Sequence, residues 1–390
     1  MSGPRNRYLN SRLQGFTSTI FAEMSALAVR TGSINLGQGF PDTDGSPEVL
    51  DAAIRAIREG RNQYPPGPGV PELRNAIAAH QHHWYGLTYD PDTEVLVTVG
   101  ATEAIAAALL ALCETGDEVV TFEPYYDSYA AGIAMAGAHR RTVTLRAPAY
   151  GFDPDELRAA VTDRTRLLLV NSPHNPTGAV FDREQLEQIA AVAIERDLLV
   201  VTDEVYEHMT FDGRAHVPMA TLPGMRERTV TISSAGKTFS VTGWKIGWVC
   251  APPDLLAAVR TAKQFLTFTG GAPFQPAIAA GLALPEQFYL DLAAGLQDKR
   301  DQLCDALSAA GFEVFRPAGT YFVTADVRPL GYDDGVAFCR ELPERCGVVA
   351  VPNVGFYDDQ QAGAPLVRFA FCKRPEILAE AAERLLTLAR

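Results

Sequence analysis

Short apolar runs alternate with amphipathic stretches through the middle of the chain. Val95–Val99, Glu118–Phe122, Arg166–Val170, Leu198–Thr202, Thr229–Ser233 and Ile246–Cys250 are the clearest runs. Most are apolar at successive positions, the pattern of strands buried on both faces. Between them lie stretches with a helical period. In Asp182 to Asp197, residues Leu186, Ile189, Ala190, Ala193 and Ile194 fall on one face, and Asp182 with Gln185 forms a capping box. Strand–helix alternation of this kind predicts an α/β fold, a mainly parallel sheet with helices on both sides.

The pattern changes at both ends. Residues 1–45 do not continue the alternation and close on the loop-forming Gly37-Gln-Gly-Phe-Pro-Asp42. After residue 295 a helix, Leu296 to Ala309, leads to a second set of short strands, including Thr320–Thr324 and Leu366–Ala370. Three segments are therefore expected. Residues 1–45 form an N-terminal arm belonging to a smaller domain, 46–294 a large domain, and 295–390 the remainder of the small α+β domain.

A hydrophobic fraction of 47% over 390 residues is ample for a large core. The net charge of -13 argues against nucleic acid or an anionic membrane as the main partner. No apolar run approaches the roughly 20 residues that span a bilayer, and no signal-peptide stretch follows the polar N-terminus. The six cysteines form no C-x-x-C pair, which reads as reduced thiols in a cytoplasmic enzyme. His80 and His83 share a helical face near His82. With no Cys or acidic residue nearby in sequence, the trio reads as a solvated helix end, and no metal site is expected.

The chemistry concentrates in Ser233-Ser-Ala-Gly-Lys237-Thr-Phe-Ser-Val-Thr-Gly-Trp-Lys245-Ile-Gly-Trp248 and in Thr202-Asp203-Glu204-Val205-Tyr206. A lysine among small residues can approach an aldehyde and form a Schiff base. An aspartate at a strand end can keep a pyridine nitrogen protonated, which makes the ring an electron sink. Both lie just past predicted strands, where ligands bind in parallel sheets. The pair reads as a site for pyridoxal 5'-phosphate.

Four further pieces complete a cradle. Val99-Gly100-Ala101-Thr102 opens a helix whose N–H groups and Thr102 hydroxyl suit a phosphate. Ser234 and Lys245 add a hydroxyl and a positive charge to it. Asn175, in Asn171-Ser-Pro-His-Asn175-Pro-Thr-Gly178, and Tyr206 can reach the cofactor's phenolate oxygen. Tyr125, in Glu123-Pro-Tyr125-Tyr126, offers a face to stack on the ring. Each piece alone is an ordinary turn, cap or packing residue. Their conjunction, in order and at strand ends, is specific.

With these motifs the chain resembles the class I aminotransferases of fold type I, nearest the kynurenine/glutamine transaminase branch and the enzymes of N-succinyl-diaminopimelate transamination. The likeness runs from Asn35-Leu-Gly-Gln-Gly-Phe-Pro-Asp42 to Val367-Arg-Phe-Ala-Phe-Cys-Lys373. It implies a seven-stranded sheet in the large domain and transfer of an α-amino group from an L-amino acid to a 2-oxo acid. It makes Lys237 the Schiff-base lysine and proton shuttle, and Asp203 the partner of the ring nitrogen. Asn175 and Tyr206 contact the phenolate oxygen, and Tyr125 takes the stacking place. Ala101, Thr102, Ser234 and Lys245 hold the phosphate. Arg368 clamps the substrate carboxylate, helped by Asn175 and the Gly39 N–H, with Phe21 on the pocket wall.

Tyr64 matches a tyrosine that reaches the neighbouring subunit's phosphate, which implies a homodimer with composite sites. The branch typically carries a tryptophan at Phe21, an aromatic at Thr102, and an aromatic and a histidine at Gly270 and Gly271, so a roomier pocket is expected. The same intermediate chemistry also allows β- or γ-elimination, and a lyase of the cysteine-conjugate type, or a specialised biosynthetic enzyme using the same cofactor, is the alternative reading.

Overall fold

In the computed structural model, which describes residues 6–16 and 20–389, the apolar runs become strands. In chain order these are β1 Ile34–Asn35, β2 Val95–Val99, β3 Glu118–Glu123, β4 His139–Thr144, β5 Thr165–Asn171, β6 Leu199–Asp203 and β7 Thr229–Ser234. They continue with β8 Ile246–Cys250, β9 Glu313–Phe315, β10 Phe322–Asp326, β11 Val348–Val349, β12 Val351–Pro352 and β13 Leu366–Ala370.

Seven of them form one sheet in the order β2-β8-β7-β6-β5-β3-β4. Every neighbouring pair is parallel except the two made by β8, which runs antiparallel to β2 and β7. The sequence pattern did not mark β4. It is an edge strand, His139-Arg-Arg-Thr-Val-Thr144, with Val143 its one buried residue, so it never needed a continuous apolar run.

The helix Arg183–Glu195 carries the expected capping box from Asp182 and Gln185. Leu186, Ile189, Ala190 and Ala193 are buried, while Ile194, at the stripe's margin, is exposed. Apolar clusters fill both faces of the large sheet.

A second, antiparallel sheet has the order β12-β13-β10-β9. β1 pairs in parallel with β11, which ties the N-terminal segment to the C-terminal third. The helix Ile20–Thr31 buries Met24, Leu27 and Ala28 in the apolar cluster that holds Phe338 and Phe369. That cluster continues to Val120 and Val170 of the large sheet, so no break in the core separates the two parts. The long helix is longer than the sequence reading had it, Glu286–Ala309. Pro285 starts it, and Gly295 lies within it facing open space, so neither side chain nor neighbour interrupts it. The boundary expected at 294/295 falls inside this helix.

The topology sets three carboxyl ends side by side. Asn171, the last residue of β5, is in register with Asp203, the last of β6. Ser234 ends β7 next to them.

Candidate active site

A cavity of about 500 Å³ opens at these carboxyl ends. Its lining brings together Ala101, Thr102, Asn175, Asp203, Tyr206, Ser234, Lys237 and Lys245 with Phe21, Gly39 and Arg368. Of the residues singled out from the sequence, Tyr64 and Tyr125 are not among those lining it.

One corner is built by an uncapped helix. The helix Gly100–Leu112 has no side-chain cap at its start, so its first N–H groups point free. Gly100 has φ 73°, and a Cβ there would lie 3.1 Å from Lys245 Nζ. Gly247 is tighter still, since a Cβ would stand 2.6 Å from the Gly100 carbonyl carbon and 2.8 Å from the Ala101 nitrogen. A bare Cα in β8 therefore lets the helix start lie directly on the strand. Thr102, Ser234 and Lys245 line the cavity beside it. Free N–H groups, two hydroxyls and an ammonium make a donor set that fits a phosphate.

Asp203 forms the floor and is 5% exposed. The Tyr129 hydroxyl donates to its Oδ2 at 2.6 Å, and the Val205 N–H to Oδ1 at 3.3 Å. Asn171 Nδ2 donates to its main-chain oxygen at 2.8 Å. Burial pushes its carboxyl up, against the Tyr129 and Val205 hydrogen bonds and the Lys237 charge. A cationic ring nitrogen would supply the counter-charge this carboxylate lacks.

Lys237 projects from the one-turn helix Ala235–Thr238. Its Nζ donates to Tyr321 Oη at 2.9 Å and to the Gly39 carbonyl at 3.4 Å. Burial lowers its pKa to about 8, with Arg368 and Lys245 acting in the same direction and Cys372 and Asp203 against it. The direction is the one proton transfer near neutrality requires.

Arg368, in the middle of β13, is 2% exposed. Nη1 donates to Asn175 Oδ1 at 2.9 Å and Nη2 to the Gly37 carbonyl at 3.0 Å, whereas Nε is buried without a partner. The guanidinium lies 4.0 Å from the Phe322 ring centre and 5.1 Å from those of Phe21 and Phe356. Burial lowers its pKa to about 10. Among the described residues its hydrogen-bond partners are neutral oxygens, and Asp127 acts on it as a neighbouring charge without an ion pair, so the buried guanidinium keeps donor capacity for an anion.

Two expectations need correction. Tyr125 does not face the cavity. Its hydroxyl donates to Asp358 Oδ1 at 2.7 Å, its N–H to the Phe356 carbonyl at 2.9 Å, and Arg140 sits 5.2 Å from its ring centre. These partners hold it inward, and the next residue, Tyr126, lines the cavity instead. His80 is not a solvated helix end either. It is buried, with Nε2 2.7 Å from Nε2 of His208, and Glu207 lies close enough that one ligand atom from each of the three falls within 4.8 Å. Burial lowers the His80 pKa to about 3, which keeps the ring neutral. His82 and His83 are exposed as expected. His208 is 128 residues away, so no local pattern disclosed the pair.

Beside the N–H expected to serve the substrate carboxylate, the Gly39 carbonyl faces Lys237 and accepts from Tyr321 Oη at 2.6 Å. Gly270 and Gly271 pack against Val99 and Ile246, where a Cβ would stand 2.9 and 2.2 Å from their side chains. Tyr64 is 81% exposed, its ring edge-on to Phe268 at 5.4 Å. Sequence reasoning gave no role to Tyr126, Tyr129, Asn171 or Tyr321. Tyr126 and Tyr129, three apart at a helix start, carried the one available signal.

Residues 31–385 match the family described as Aminotransferase class I and II. The Mycobacterium tuberculosis protein named "Probable N-succinyldiaminopimelate aminotransferase DapC" is 56% identical over 97% of this chain and 98% of its own length. The solved structure of N-succinyldiaminopimelate aminotransferase from Mycobacterium tuberculosis superposes with a TM-score of 0.95, at 56% identity, over 97% of this chain and 100% of that one. Methionine aminotransferase of Escherichia coli is 40% identical (96% of this chain, 97% of the relative), and a kynurenine–oxoglutarate transaminase of Dictyostelium discoideum 37% (98% and 96%).

Proposed function

The chain belongs to the class I and II aminotransferases, and we propose that it moves the α-amino group of a long-chain L-amino acid to a 2-oxo acid with the cavity residues described above. The family's cofactor, pyridoxal 5'-phosphate, when bound supplies an aldehyde for amines and a ring that draws electrons from the substrate's Cα. The open helix start, the buried carboxylate and the lysine of lowered basicity fit it.

In this reading Ala101, Thr102, Ser234 and Lys245 hold the phosphate, and Asp203 keeps the ring nitrogen protonated. Asn175 and Tyr206 face the phenolic oxygen, and Tyr126 covers a ring face. Arg368 holds the α-carboxylate by a planar two-point contact, and the partnerless Nε is the observation that carries the proposal. Fixing the carboxylate would orient the Cα–H bond toward Lys237, whose neutral amine would take that proton and hold it as an ammonium. General base action of this kind is worth about 10²–10⁴-fold. Donor and acceptor both carry an α-carboxylate, and among the described residues the cavity lining offers one such clamp. They therefore use it in turn, a ping-pong sequence.

N-succinyl-diaminopimelate is our first choice of donor, on the strength of the 56% identical relative. We further propose a homodimer in which Tyr64 completes the neighbour's site. Tyr64 and Phe268, in ring contact, leave 81% and 41% of their surface exposed on one chain, and Phe265 leaves 85%, apolar surface of the kind partners cover. A cytoplasmic enzyme is consistent with six free thiols.

The test is single-turnover absorption spectroscopy of the cofactor-loaded protein with N-succinyl-diaminopimelate, methionine, glutamine and kynurenine. A true donor bleaches the bound cofactor's yellow form and releases its 2-oxo acid, and an added 2-oxo acid restores the colour. Release of ammonia with no need for a 2-oxo acid would make the enzyme a lyase. Lys237→Ala is expected to retain cofactor without turnover, and full activity in that variant would remove Lys237 from the mechanism.

A further inference from the structure

Lys237 is assigned above as the amine that moves a proton, and the inference below rests on that reading. A lysine amine on a four-carbon stem is a mobile base. To act it must be held while its lone pair stays free.

We infer that Tyr321 is a positioning residue that holds the free amine of Lys237 by one of its N–H bonds and leaves the nitrogen lone pair open to the cavity. A phenol hydroxyl has one hydrogen and can also accept. Tyr321 Oη spends that hydrogen on the Gly39 carbonyl, 2.6 Å away. Toward Lys237 Nζ, at 2.9 Å, the oxygen can therefore only accept. The Gly39 carbonyl, 3.4 Å from Nζ, is a weaker second acceptor. A neutral amine has two N–H bonds and one lone pair. With both N–H bonds drawn to this tyrosine–glycine corner, the lone pair is the part left over.

The corner is rigid. Tyr321 is 1% exposed, and its ring stands edge-on to Tyr206 at 5.3 Å and 89°. Its carbonyl accepts from the Phe371 N–H at 2.9 Å, which fixes the backbone beside β13. A Cβ on Gly39 would strike Phe322 at 2.3 Å, so the missing side chain lets this stretch of backbone lie directly against the Phe322 ring. Tyr206, whose ring centre lies 5.7 Å from Nζ, shares a side-chain hydrogen bond with the Tyr321 hydroxyl, so it too competes for that hydroxyl's hydrogen and leaves Tyr321 an acceptor toward Lys237.

The sign of a titration separates this arrangement from the reverse one. An acceptor favours the ammonium form, since a charged donor makes the stronger bond. A hydroxyl donating to the lone pair would favour the neutral amine. Asp203, Cys372, Arg368 and Lys245 also act on Lys237. Tyr321→Phe keeps all four and the ring packing, so the difference between variant and parent reports on the hydroxyl.

Two measurements test the inference. The first acetylates the full chain, free of cofactor, with acetic anhydride across pH and reads the Lys237 peptide by mass spectrometry. The parent is expected to titrate near 8. In Tyr321→Phe the midpoint should fall by about half a unit or more, the loss of one charge-assisted bond. An unchanged or raised midpoint overturns the assignment. The second uses the loaded enzyme and the donor identified above, protiated and deuterated at Cα. Tyr321→Phe should lower kcat about tenfold or more with KM within about threefold, and raise the isotope effect, because proton transfer alone has been misaligned. An unchanged kcat and isotope effect overturn it. If the parent turns over no donor, the aminotransfer reading fails, and the acetylation midpoint still decides the role of Tyr321.

Discussion

Arg368 is the side chain from which most can be argued. Its neighbours Asn175 and Gly37 offer neutral oxygens, and three aromatic rings surround its plane. Lysine at this position keeps the charge but loses the planar fork and the ring stacking. Arg368→Lys should raise KM for the amino donor about tenfold to hundredfold, or about 1.4–2.8 kcal/mol of a charge-assisted pair. The cofactor's Kd should change far less, because Arg368 is assigned no contact with it. Equilibrium titration with cofactor beside steady-state kinetics checks this; an unchanged KM would move the carboxylate clamp elsewhere. Residues whose chemistry is rare were legible in the sequence: a lysine among small residues, an aspartate ending a strand. Tyr125 and Tyr126 show the limit. Two identical side chains in a row at a helix start face different ways, and only the capture of Tyr125 by Asp358 decides which meets the cavity. Tyr321 was illegible for a different reason, since its part depends on a carbonyl 282 residues away.

At the scale of elements, the site depends on how closely a helix start can approach a strand. β8 carries Gly247 at the point where the helix Gly100–Leu112 begins, and the 2.6 Å gap to a built Cβ would be closed by main chain rather than by a movable side chain. Gly247→Ala must therefore push the helix start outward. The expected cost is about 1–3 kcal/mol of stability, with cofactor affinity lowered about tenfold as the N–H groups lose aim. Gly295→Ala is the contrast. Gly295 lies mid-helix with nothing around it, so alanine should stabilise by about 0.5–1 kcal/mol and leave cofactor binding alone. Denaturant melts and cofactor titrations of both variants decide the matter; equal effects would mean that packing at Gly247 has no bearing on the site. Strands buried on both faces announced themselves as apolar runs. The edge strand β4 did not, because only Val143 of its six residues is fully buried. The helix Glu286–Ala309 was read short because a glycine in its middle resembles a boundary until its surroundings are seen.

For the whole molecule, the pairing of β1 with β11 supports the proposed grouping of the N-terminal segment with the C-terminal third, although one apolar cluster joins that part to the large sheet. The larger question is whether one chain makes a complete site. Tyr64 stands 81% exposed, beside Phe268 and outside the cavity of its own chain. If it serves a neighbour across a two-fold axis, Lys237→Ala and Tyr64→Ala damage different sites of a mixed dimer. One site carries both defects and the other carries neither. Alone, Lys237→Ala should be inactive and Tyr64→Ala poorly active at limiting cofactor. Mixed under conditions that exchange subunits, they should recover up to about a quarter of parental activity, since half the dimers are mixed and each has one intact site. No recovery despite proven exchange, read from a mass-tagged partner, would place Tyr64 in its own chain's site or in none. The exposed patch would then be only an interface, and the catalytic apparatus would be complete within a single chain.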